Sequence, residues 1–236
     1  MAQIAQASPR FLGRMVAVCY FVLVLAGYDL FFVLPRIIVR GDAAATAANI
    51  LAHPGMFLAG SAAALMGVAA YLVVTALWYR LYQPVNRTLS LSAACFSLTG
   101  CIIQAVAVVF HLVPWMILVD KPYLSTFKPE QVQALALFSL GLYGQTYNLS
   151  LVFFSFYLLQ IGYLTYRSTF LPRWLGVLAM FGVSWLVFLY PPLARALFPY
   201  IVLGSLGEGL LVLWLGIKGV DEQRWYELAA AAGLRP

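Results

Sequence analysis

Two carboxylates and one imidazole stand inside apolar stretches of this chain: Asp29, Glu208 and His111. An ionisable group in a hydrocarbon setting costs several kcal/mol unless it is paired, so each needs a reason to be there. Glu208 lies in Gly204-Ser205-Leu206-Gly207-Glu208-Gly209, where small residues let helices approach closely. A glutamate kept from water there can hold its proton and act as a general acid or a relay. The bland alternative is a neutral carboxyl giving one structural hydrogen bond at a tight crossing. Asp29 follows Gly27-Tyr28 and would be a proton carrier or a counter-charge. Its bland alternatives are a tyrosine or amide partner from a neighbouring helix, or snorkelling to the interface. His111 would share in acid/base work, and a histidine so placed most often hydrogen-bonds a neighbour; Asp29 is at similar depth. Together with His53 it also makes the minimum pair for a haem between two helices, although no spacing motif supports a metal.

Five further polar residues are ligand-binding candidates: Asp42, Asn49, Gln104, Gln145 and Asn148. Gln104 is two turns from His111 on one helix, and Gln145 and Asn148 share a face at i and i+3. A pocket open to the outer leaflet would collect Asp29, His111, Gln145 and Asn148, with Gln104 and Glu208 deeper. The competing reading makes Gln145, Asn148 and Gln160 interhelical ties. The sequence shows no nucleotide-binding loop, no Ser/His/Asp order, no Gly-x-Ser-x-Gly and no metal-ligand spacing. Cys19, Cys95 and Cys101 lie in apolar runs without a Cys-x-x-Cys pair, so they read as small hydrophobes.

The elements that must position these groups follow from composition. Of 236 residues, 64% are hydrophobic and 9% charged, with mean hydropathy +0.91. A soluble domain is about half apolar and a quarter charged. This excludes a soluble globular fold, a disordered chain, a disulfide scaffold and any large catalytic domain outside a membrane. The fold class is all-α, a polytopic transmembrane bundle within a single integral membrane domain. At about 20 residues per span, six segments qualify: 15–34, 56–78, 89–118, 145–166, 174–190 and 197–217. The runs lack period-two alternation, which excludes a barrel. The N-terminal run is too long for a signal peptide and reads as a retained first span.

Fourteen Lys+Arg against eight Asp+Glu give a net charge of +6. The cations are scattered singly between spans, which argues topology rather than nucleic acid. One side of the six-span arrangement holds Arg10, Arg14, Arg80, Arg87, Arg167, Arg173, Lys218, Arg224 and Arg235. The other holds Arg36, Arg40, Lys121, Lys128 and Arg195. The bias places both termini in the cytoplasm. Arg167-Ser168 and Arg173 then anchor a cytoplasmic turn.

The fourth run is proline-free from Glu130 to Tyr166, about 55 Å as one helix, so residues 129–144 are expected outside or along the surface, bending at Gly141 or Gly144. Leu-Val-Pro114 reads as a break near the end of the third span. The outer loop 35–55 carries Asp42 as the N-cap of a short alanine-rich helix. The tail 218–236 contains an amphipathic stretch with Trp225 and Tyr226. Tyr79, Tyr82, Trp115, Tyr190, Tyr200 and Trp225 read as interface-belt aromatics. No repeat divides the chain into two halves, which weakens an inverted-repeat transporter.

Three stretches carry a resemblance: Gly41 to Ile50 (GDAAATAANI); Tyr147-Asn148 through Tyr166-Arg167-Ser168 to Leu171-Pro172-Arg173 and Leu175-Gly176; and Gly207-Glu208 through Leu213-Trp214-Leu215 to Lys218-Gly219-Val220. In order and content they resemble a bacterial family of small multi-pass membrane proteins known only as a domain of unknown function. The resemblance implies a bundle of about six helices in a prokaryotic cytoplasmic membrane. It makes Asp42, Asn148, Arg167 and Glu208 family-typical and brings no reaction with it.

The expectation is therefore a membrane protein with an outer-half polar pocket for a lipid-like or isoprenoid-like molecule. Asp29, His111 and Glu208 would supply acid/base groups for isomerisation or cyclisation, and loop 41–53 would cover the opening. The alternatives are a proton-coupled transporter and an accessory subunit of a membrane complex; haem binding through His53 and His111 is a minor option. Expected partners are membrane lipids, with a second protein or a second copy as further options.

Overall fold

Prolines and capping side chains decide where each helix of this chain begins. The computed structural model describes residues 8–119 and 124–234. Within the helix Pro191–Ile217 the side chains of 191, 195, 198–200 and 202–205 are outside the described set. Expectations about Lys121, Arg235 and the side chains of Arg195, Tyr200 and Ser205 fall outside the described residues.

Helix α1 (Pro9–Ala26) starts at a proline, which suits a first turn because its missing N–H would be unpaired anyway. After Gly27-Tyr28 the backbone widens into one π-helical turn, Asp29–Val33, and closes as α2 (Leu34–Ile37). Pro35 gives the physical reason for the π turn: it donates no N–H, and its ring would press on a carbonyl one turn back. The wider turn relieves that conflict, and Leu34 N–H bonds Asp29 C=O across it. Helix α3 (Ala43–Ala52) is capped by Asp42, which accepts from Ala45 N–H at 2.8 Å. Helices α4 (Pro54–Tyr82) and α6 (Pro129–Arg167) also begin at prolines. Asn86 accepts from Leu89 N–H at 2.9 Å at the start of α5 (Arg87–Leu118). The remaining helices are α7 (Arg173–Met180), α8 (Pro191–Ile217) and α9 (Glu222–Ala231), the last capped by Asp221. No strand occurs among the described residues.

Four helical runs are long and apolar enough to cross a membrane: Pro9–Ile37, Pro54–Tyr82, Arg87–Leu118 and Pro129–Arg167. Protein covers between 22% and 56% of their most apolar windows. Phe21, Val24, Phe31, Ile102 and Val109 are left mostly uncovered. Apolar surface on that scale suits lipid rather than water. The chain is an all-helical membrane protein.

Several local expectations are corrected. The helix is not broken at Pro114: α5 runs through it to Leu118, the residue at which the third span was expected to end. The fourth run, including Gly141 and Gly144, lies in α6, one continuous helix of 39 residues. The expected fifth span changes character midway, α7 passing into a 3-10 helix over Phe181–Leu189.

The chain divides into two compact units. The first comprises Met1–Phe21, Tyr71–Gly100 and Leu149–Pro236. Its core includes Trp78, Tyr82, Phe154, Tyr157, Leu175, Leu211 and Leu215. Tyr82 is fully buried rather than at an interface: it stacks on Trp78 at 5.2 Å, and its hydroxyl hydrogen-bonds Thr165. In this unit α8 crosses α7 at Gly207, where a Cβ would collide with the backbone of Leu178 and Ala179. Helix α9 is tied down by the Trp225 indole N–H, which donates to Leu81 C=O at 2.9 Å.

The second unit comprises Val22–Ala70 and Cys101–Asn148. Val33, Leu34, Ile37, Ile50, Phe57, Ala107, Leu140 and Tyr143 form its core. Asn49 donates to Ile37 C=O at 3.1 Å, which fastens α3 to the end of α2.

Candidate functional site

The second unit gathers four polar side chains in its interior, each from a different helical segment. Asp29 opens the π turn, Ser61 comes from α4, His111 from α5 and Tyr143 from α6. They are 1%, 2%, 0% and 4% exposed, so solvent does not satisfy them. Ser61 Oγ lies 2.7 Å from His111 Nδ1. His111 Nε2 faces Asp29 Oδ1 at 3.2 Å. The Tyr143 hydroxyl donates to Asp29 Oδ2 at 3.1 Å. Phe57 stacks on the imidazole at 4.6 Å, and the Tyr143 ring meets it edge-on at 4.9 Å. Gly60 leaves room for the carboxylate, since a Cβ there would fall on the Asp29 carboxyl group.

The arrangement is a line of hydroxyl, imidazole, carboxylate and phenol, hydrogen-bonded at its two ends and joined in the middle by the 3.2 Å contact between His111 and Asp29. It has two proton patterns. With the ring proton on Nε2, it points towards Asp29, and Ser61 donates to Nδ1. With the ring proton on Nδ1, the imidazole donates to Ser61, whose own proton turns to Phe57 C=O, 3.3 Å away. These are the two tautomers of a neutral imidazole, so passing between them requires one ring nitrogen to take up a proton as the other gives one up. The Nε2 and Oδ1 atoms are close but out of line for a hydrogen bond, so a small rotation tightens or loosens the contact.

Beside this line runs an open groove of about 770 Å³, lined by Leu23, Tyr28, Leu30, Phe31, Phe32 and Tyr147 among others. The π turn that presents Asp29 inward thus presents Phe31 and Phe32 outward, 75% and 52% exposed. Tyr147 connects the groove to the polar line: its ring lies 6.3 Å from that of Tyr143. Gln104 hydrogen-bonds the Tyr147 side chain.

The first unit holds Glu208 in another setting. The carboxyl accepts a hydrogen bond from the Tyr20 hydroxyl, and Tyr71 faces the same group. The ring of Tyr71 packs against Phe154 at 4.5 Å and lies 6.1 Å from Tyr20 and from Tyr157. Glu208 itself is half-buried. It is one carboxyl among phenols, with Tyr20 and Tyr71 on the group and Tyr157 beside Tyr71.

The other sequence candidates fall in varied places. Asp42 serves as the α3 cap and Asn49 as the α2–α3 tie. Gln145 is exposed and Asn148 half-buried. Gln160 donates to Phe156 C=O on its own helix. His53 is exposed at the end of α3, and both ring nitrogens of His111 are turned to protein groups; the two histidines do not present a pair of axial ligands. Among the described residues no group of three His, Cys, Asp or Glu could hold a metal ion. Sequence reasoning missed Ser61, Tyr143, Tyr147, Tyr20 and Tyr71. It also excluded a Ser/His/Asp set, because it looked for a local order that Asp29, Ser61 and His111 assemble only in space. The one available signal for the tyrosines was the i, i+4 pair Tyr143 and Tyr147, which places two phenols on one face of α6.

The model of a family described as a domain of unknown function, DUF4386, matches residues 15–219. No curated protein and no solved structure matches the chain.

Proposed function

We propose, for a chain that belongs to the DUF4386 family, that it binds a lipophilic small molecule in the membrane and moves a proton on it. The observation that carries this reading is the sealed line Ser61–His111–Asp29–Tyr143 running behind an apolar groove. General acid/base chemistry needs a group that can give and take a proton in a dry site, held in place by its neighbours. His111 is such a group, and Asp29 is the counter-charge for its protonated form. Tyr147 is the polar contact at the groove wall, where a ligand hydroxyl or carbonyl would register. Proton-driven isomerisation or cyclisation of a lipid-like or isoprenoid-like molecule fits these parts.

The setting we infer is a six-span bundle in a bacterial cytoplasmic membrane with both termini inside. The 17 residues of α7 and its 3-10 continuation reach about 30 Å, enough for a bilayer core. In the first unit the start of α1 and the ends of α6 and α8 share one cleft, alongside cations of the richer side.

Native mass spectrometry of the protein released from mild detergent tests the reading. The expected result is a reproducible non-protein mass whose occupancy drops when Tyr147→Ala opens the groove wall. Bare protein in every preparation, or a mass equal to a second protein, would refute ligand binding; the latter would favour an accessory subunit. A proton-coupled transporter is the second reading, favoured by the half-buried Glu208 carboxyl against Tyr20. It predicts proteoliposome flux that Glu208→Gln stops and Asp29→Asn leaves intact.

A further inference from the structure

The first unit contains a second cavity, unlike the apolar groove in every respect. It is a polar cleft of about 650 Å³ at the meeting of four chain segments. Arg10 comes from the first turn of α1, Thr169 to Pro172 from the turn after α6, Trp214 and Lys218 from the end of α8, and Asp221 to Arg224 from the start of α9. Five side chains in its lining are charged: Arg10, Lys218, Arg224, Asp221 and Glu222.

These charges are not mutually cancelled. Asp221 is engaged twice, accepting from Arg224 N–H at 3.2 Å and pairing with the Arg224 guanidinium at 3.4 Å. Arg224 is further held by Thr169 C=O at 3.1 Å. Glu222 accepts from the Arg10 backbone N–H at 3.3 Å. Both acids are thus committed to backbone donors or to Arg224. The Arg10 guanidinium and the Lys218 ammonium have no hydrogen bond or ion pair among the described residues. The Arg10 stem is also laid in position, since its Cγ and Nε are 3.2 and 3.6 Å from where a Gly219 Cβ would stand. Two uncommitted cations therefore border one cleft, together with a half-buried tryptophan and the apolar wall of Phe170 and Leu171.

We propose that this cleft binds the phosphate of an anionic phospholipid, with Arg10 and Lys218 on the phosphate and Trp214 beside the glycerol region. The depth suits a headgroup: Arg10 and Lys218 stand at the outermost turns of helices whose following or preceding residues are apolar. Anionic lipid is the source chosen because a cationic cleft walled by Trp and Phe meets both parts of a lipid, whereas a free phosphate uses the cations alone. Arg167 and Arg173 are not in the lining of the cleft, and the site does not depend on the reading of the Asp29–His111 line.

The test is lipid retention in native mass spectrometry after reconstitution in nanodiscs of mixed phosphatidylglycerol and phosphatidylcholine. Wild type is expected to retain phosphatidylglycerol preferentially. The double variant Arg10→Gln with Lys218→Gln is expected to lose that preference by about twenty-five-fold, from about fivefold per cation near a membrane surface. Arg40→Gln, a cation of the second unit, is expected to keep it. A melting curve matching wild type shows that the double variant is folded. If that variant misfolds, the single Lys218→Gln, at the exposed end of α8, carries the test with about a fivefold loss. An unchanged preference, or an equal loss in Arg40→Gln, overturns the site. Displacement of the lipid by millimolar inorganic phosphate with no preference among lipids overturns the lipid assignment.

Discussion

Two carboxyl groups in this molecule, Asp29 and Glu208, look alike in the sequence and live in different surroundings. Each is a lone acid in an apolar run. Asp29 is 1% exposed and faces an imidazole and a phenol, each with further partners of its own. Glu208 is half-buried and is met by two phenols, Tyr20 and Tyr71, within a mainly aromatic surround. The difference teaches where connected chemistry can occur. Asp29 meets an imidazole that in turn meets the Ser61 hydroxyl, whereas Glu208 meets only phenols, those of Tyr20 and Tyr71. The backbone matches this division. Asp29 sits on a π turn, a geometry frequent at functional sites, while Glu208 sits within a regular helix beside a close crossing.

Substitution should separate the two. Asp29→Ala would leave His111 Nε2 and the Tyr143 hydroxyl buried and unpaired, and is expected to cost about 3 kcal/mol. Thermal unfolding in detergent would show it, and a loss under 1 kcal/mol would mean that the line is not a coupled unit. Gly60→Ala pushes a methyl into the carboxylate and is expected to cost about 2 kcal/mol by overpacking. Because the obstruction is a side chain, pairing it with Asp29→Ala should recover much of that cost, a non-additivity that a double-mutant cycle measures. Ser61→Ala is expected to cost about 1 kcal/mol, while ending any proton traffic through Nδ1. Glu208→Gln should cost least, below about 1 kcal/mol, since a half-buried amide can still accept from Tyr20. A larger loss for Glu208→Gln than for Asp29→Ala would reverse the comparison.

Much of the frame is legible in the residues. The long spans, the Asp42-capped helix, the tail helix and the family all follow from hydropathy, caps and a few short stretches. The nearness of His111 to Asp29 follows from matching depth along two helices. Other features are hidden for physical reasons. The π turn at Asp29 is caused by Pro35, six residues away, and a proline near a span end reads as a plain stop. Pro114 misleads in the opposite direction, because a helix packed against neighbours can continue through a proline. Ser61 next to Gly60 looks like a small-residue packing pair, and only the α5 neighbour turns it into a hydroxyl on an imidazole. Tyr82 sits at a span end where an interface aromatic is expected, yet Thr165 and Trp78 draw it inward. Residues 181–189 carry no signal that separates a 3-10 from an α-helix.

The most direct test of the central claim follows hydrogen on the bound molecule. Protein carrying its lipophilic ligand is equilibrated in deuterated water, the ligand is extracted, and carbon-bound deuterium is measured by mass. The account predicts incorporation in wild type and in Glu208→Gln, and none in Asp29→Asn or His111→Gln. Equal incorporation in all four proteins, or none in wild type, would contradict it.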